Sequence, residues 1–76
     1  MNEGLSIYAN KILDLLRQRG EWMKRSEIAK GLGRKRLTGS HLTALAILEE
    51  RKLIEVEKRP DNRPIGLIFF YRAIND

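Results

Sequence analysis

The chain has 76 residues, 42% of them hydrophobic and 33% charged, with no cysteine and a net charge of +5. A chain of this length forms one small domain that buries only about 60% of its unfolded surface, and its composition is that of an ordinary globular domain, neither disordered nor membrane-spanning. Without cysteine there are no disulfides and no thiolate zinc site, and the longest apolar run, Ile65 to Tyr71 with Gly66 inside it, is far too short to cross a bilayer.

The N-terminus lacks a basic segment followed by an apolar one, so no signal peptide and a cytoplasmic location are expected. Ser6 is a good N-cap. A first helix then runs through "SIYANKILDLLRQRG", with Tyr8, Ile12, Leu15 and Leu16 as its apolar stripe. Arg17 and Arg19 suit the negative end of the helix dipole, and Gly20 suits the residue after the cap. "EWM" reads as a short extended piece, with Trp22 or Met23 as its anchor in the core.

Ser26 and Glu27, followed by Ile28, Ala29 and Leu32, predict a short second helix closed by Gly31 or Gly33. Thr38 or Ser40 then caps a third helix running to about Arg51, with Leu42, Leu45 and Leu48 as its core face and Leu53 below. Ile54 and Val56 alternate with Glu55 and Glu57, the period of a half-buried strand. Pro60-Asp61-Asn62 favours a β-turn. "IGLIFFYRAI" predicts a second long strand in which Leu67, Phe69 and Tyr71 share the inner face, leaving Ile68 and Phe70 on the other.

The charge is placed unevenly along this order. Residues 24 to 36 hold six basic side chains (Lys24, Arg25, Lys30, Arg34, Lys35, Arg36) against one acid, Glu27, so the rest of the chain balances nine against nine. A concentration of this kind is an electrostatic footprint for a polyanion.

Three stretches carry a family likeness: "SEIAKGLG" in the second helix, "LTALAILEERKLI" through the third, and "EKRPDNRP" between the strands. With them the chain resembles, from about Ile7 to Ala73, the winged helix-turn-helix superfamily. The likeness implies an α+β, mostly helical fold: a three-helix bundle with a small antiparallel sheet and a basic wing, residues 1–76 forming a single domain. It also implies a DNA-binding protein, a small transcriptional regulator, with the third helix in the major groove and the wing on the adjacent backbone or minor groove. Carried over, the groove-facing positions are Thr38, Ser40, His41 and Thr43, with Ala44 and Ile47 beside them. Hydroxyls there suit base edges or phosphates, and small residues suit a thymine methyl. Arg34, Lys35 and Arg36 would hold the DNA backbone before that helix, and Lys58, Arg59 and Arg63 would do so from the wing. The turn "GRKRLTGS" is longer than the tight version of the motif, and Ala44, Ala46 and Ile47 make the third helix more apolar than most reading helices.

No catalytic constellation stands out, and an enzyme is not expected. Ser40 and His41 are neighbours on a helix and point apart, and "GLGRKR" lacks the spacing of a nucleotide loop. His41 reads better as a surface or capping residue than as a catalyst, and no cofactor or small-molecule substrate is implied. Double-stranded DNA and a second copy of the chain are the expected partners, since paired modules can read two half-sites. The alternative is a winged helix used for protein–protein contact or assembly, for which the outward Ile68 and Phe70 speak.

Overall fold

The computed structural model describes residues 4–60 and 66–74. It is an α+β structure of three helices and one three-stranded antiparallel sheet: α1 (Ile7–Arg19), β1 (Met23–Lys24), α2 (Arg25–Gly31), α3 (Gly39–Glu50), β2 (Ile54–Pro60) and β3 (Leu67–Ala73). The strand order is β1-β3-β2, which puts β3 in the middle. No helix among the described residues is long and apolar enough to cross a membrane.

Local chemistry sets the helix ends. The Ser6 hydroxyl accepts a hydrogen bond from the Ala9 N–H at 3.1 Å, and Gly20 closes α1 in the left-handed region at φ 64°. At α2 the Glu27 carboxylate reaches back to the Lys24 N–H at 2.8 Å, so the helix starts one residue before the expected Ser26. Its far end is a Schellman closure: Arg34 N–H donates to the Ala29 carbonyl and Gly33 N–H to that of Lys30. Gly33 sits at φ 76°, a conformation that L side chains rarely adopt.

The core lies between the helices and one face of the sheet. Ile12, Leu13, Leu16, Ile28 and Leu48 are fully enclosed, joined by Leu45, Met23, Ile54 and Tyr71. Met23 is thus the anchor of β1. Two expectations are corrected. Tyr8 is partly exposed, and Ala9 and Leu13 complete the α1 stripe instead. Leu42 is 37% exposed, because the buried face of α3 runs through His41, Ala44, Leu45 and Leu48. That set has the i, i+3, i+4, i+7 spacing of one helix face, whereas 42, 45 and 48 drift around the axis. Leu67 shares the helix-side face of Phe69 and Tyr71, as the pleat requires, but is exposed there, at the turn end of the hairpin where it pairs with Pro60. The Pro60-Asp61-Asn62 turn falls largely outside the described residues.

Candidate nucleic-acid interface

The start of α3 is organised around His41. Thr38 is the N-cap, and its N–H donates to His41 Nδ1 at 3.2 Å while its hydroxyl lies 2.8 Å from the same nitrogen. The arrangement is a capping box with histidine in the place of the usual Glu or Gln. Since the N–H can only donate, Nδ1 accepts and the ring proton sits on Nε2. The ring meets Tyr8 edge-on, centroids 4.8 Å apart. Burial, and then the nearby positive charge of Arg34, hold the His41 pKa below its ordinary value.

His41 is therefore not a groove-facing side chain. It is 2% exposed and faces the core side, and Ala44 is buried with it. Both expectations are corrected: the two residues lie on the packed face of α3, one as a cap and one as a close contact. Thr38 is exposed, but its hydroxyl is engaged by the cap. Ser40 and Thr43 are exposed and line a notch with Ser6, Tyr8, Gly39 and Ile47, on the side of α3 toward the start of α1.

The sheet register separates the two cations of β2. Lys58 pairs with Phe69, and Arg59 with Ile68. Because successive side chains alternate between faces, Lys58 stands on the helix side and Arg59 on the outer side. There Arg59 lies 4.1 Å from the Phe70 ring centroid and donates to Glu57 at 3.0 Å. Arg72 repeats the arrangement, 4.5 Å from the Trp22 ring and 2.9 Å from Glu55. The Arg59 hydrogen bond holds the Glu57 pKa below its usual range, and the Glu57 hydrogen bond raises that of Arg59. The outer sheet face is thus a layer of aromatic rings covered by arginines that already have carboxylate partners. Lys58 and Arg59, both expected to hold the DNA backbone from the wing, are turned by the pleat to opposite faces of the sheet. Arg63 lies outside the described residues.

On the helix side the cations converge. Arg25, at the start of α2, stacks 4.3 Å from the Phe69 centroid and donates through Nε to the Tyr71 hydroxyl at 2.8 Å. Lys58 lies 5.8 Å from the same ring. Together with Leu42, Leu45, Ala46, Glu49 and Val56 they border a notch of about 220 Å³ between α3 and the hairpin. A second notch is lined by Arg25, Ser26, Lys35, Arg36, Leu37 and Leu42. Arg25 and Leu42 border both, so Lys35, Arg36, Arg25 and Lys58 make one continuous cationic track beside α3. Arg34 lines neither notch, and its charge acts on His41.

Arg25, Phe69, Leu42 and Ala46 were not among the expected site residues. Arg25 was visible as part of the basic cluster, but its stacking partner lies 44 residues away in the chain, on β3. Leu42 was assigned to the core for its apolarity, because the polar His41 concealed the true buried face. Among the described residues no three His, Asp or Glu side chains stand close enough together to hold a metal ion. No family model matches the chain, and no curated protein does.

Proposed function

We propose that this chain is a winged helix-turn-helix module that binds double-stranded DNA, acting as a small transcriptional regulator rather than an enzyme. Helix α3 enters the major groove, and the β2–β3 hairpin, as the wing, follows the adjacent backbone or minor groove. The observation that carries the reading is the track of Lys35, Arg36, Arg25 and Lys58 beside α3. It joins the α2–α3 turn to the hairpin on a single face, and phosphate contacts of this kind set position and orientation on a duplex. Glu49 and Glu50 on the last turn of α3 are exposed and repel phosphates, so contact is confined to the first two turns.

The test is a titration with duplex DNA at several salt concentrations. Binding should weaken linearly with the logarithm of salt, and Lys35→Ala or Arg36→Ala should each lower the slope by about 0.9. Absence of salt-sensitive binding at low ionic strength would sink the proposal.

A homodimer belongs to the same proposal, with Ile7, 68% exposed, and Tyr8 and Ile47 as the contact. Sedimentation of parent and Ile7→Glu should show a dimer lost in the variant. The protein-contact alternative draws on Trp22, Ile68 and Phe70 of the outer sheet face. It is weakened by Arg59 and Arg72, which already cover Phe70 and Trp22.

A further inference from the structure

We propose that the notch between α3 and the β2–β3 hairpin takes the C5-methyl groups of thymine, so that base preference comes from apolar contact. The inference rests on the duplex-binding reading and names what that face would select. The side chains that α3 offers to the notch are Leu42, Leu45, Ala46 and Glu49. Its first two turns therefore bring no hydrogen-bonding side chain there. In the major groove of unmodified DNA the thymine methyl is the apolar group on display, and it distinguishes A·T from G·C pairs.

The frame around the notch has the complementary charge. Arg25 and Lys58 both lie over Phe69, and Arg25 is tied to the Tyr71 hydroxyl. Two cations are thus held at the rim of an apolar floor made of Leu45, Val56 and Phe69. A duplex seated on α3 would place phosphates against the cations and base edges against Leu42 and Ala46. The exposure of Leu42, a leucine within a basic surface, is then a contact held open for the ligand. The outer sheet face offers no comparable opening, since Phe70 and Trp22 there lie beneath arginines paired with Glu57 and Glu55.

The experiment compares an alternating dA·dT hairpin duplex with its dA·dU counterpart, which differs only by the methyl groups. The parent should bind the dA·dU duplex about fourfold more weakly for each methyl buried. Leu42→Gln and Ala46→Ser should bind both duplexes alike while keeping the parent's salt slope, and Leu42→Met should keep the preference. Thermal unfolding of each variant checks that it is folded. If the parent binds both duplexes equally with its salt slope intact, the methyl contact is overturned and DNA binding stands. If neither duplex shows salt-sensitive binding, both fall, and an apolar peptide segment becomes the occupant to pursue.

Discussion

His41 shows how one side chain can close a helix and carry a pH response. Its Nδ1 accepts from the Thr38 N–H, so protonation would turn the acceptor into a donor and break the cap. Its folded pKa lies below the ordinary 6.5, through burial and then Arg34. The neutral form is therefore the one that folding favours. Stability is fully present above the unfolded pKa and is lost as pH falls through the folded one. Glu57, the acid whose pKa is lowered by Arg59, acts below its ordinary 4.5 and leaves this window to His41. The variant His41→Gln keeps a capping-box acceptor without a titrating group. The Tm of the parent should fall more steeply than that of His41→Gln between pH 7 and pH 5; parallel curves would remove His41 as the cause. Gly33 is a simpler case. A Cβ there meets nothing within 4 Å, but φ is +76°. Gly33→Ala should cost about 1–2 kcal/mol through backbone conformation alone, with an unchanged urea m-value.

At the scale of elements, α3 has one packed face and one open face. Leu45 and Leu48 point into the core and Leu42 out of it. Leu48→Ala should cost about 2–5 kcal/mol, whereas Leu42→Ala, at a side chain already 37% exposed, should cost clearly less. Urea unfolding of both variants checks this, and equal losses would mean that the helix is rotated from its described position. The sheet has the same duality in another form. Its pleat sends Tyr71 and Ala73 toward the helices and Phe70 and Arg72 away. A one-residue slip in the β2–β3 register would exchange those sets and put Tyr71 in water. Val56 opposite Tyr71 and Ile54 opposite Ala73 hold the register, since each pair is half-buried or buried on the helix side.

For the molecule as a whole, the consequence of that pleat is a division of labour among cations. In the proposed complex Lys58 faces the DNA and Arg59 does not. Lys58→Ala should lower the salt slope of duplex binding by about 0.9. Arg59→Ala should leave the slope unchanged and lower thermal stability, because it uncovers Phe70 and leaves Glu57 without its partner. Slopes reduced alike by both variants would contradict the assignment of faces. The same reasoning separates Arg25 from the rest of the track: Arg25→Lys keeps the charge but loses the planar stacking on Phe69, so its effect should fall on stability before it falls on the slope.

Much of the architecture was legible in the chain itself. Ser6, Gly20, Gly33 and the Ile54–Val56 alternation are local signals, each acting within a few residues through a hydrogen bond, a backbone conformation or a side-chain period. Together with the Thr38 cap of α3 and the apolar run "IGLIFFYRAI" they located the helices and the two long strands, and the count of charges located the basic corner. What they could not supply was the direction in which neighbouring residues face. Leu42 and His41 exchanged roles because hydropathy ranks a leucine as core and a histidine as surface, whereas a hydrogen bond to Thr38 makes the buried histidine inexpensive. Lys58 and Arg59 are adjacent in the sequence and look like one patch; only pairing with β3 sends them to opposite faces. Arg25 joined the site through Phe69 and Tyr71, partners far along the chain. Sequence determined the elements, because their causes are short-range. Tertiary structure decided which face each side chain occupies, because that depends on what packs against the element from elsewhere.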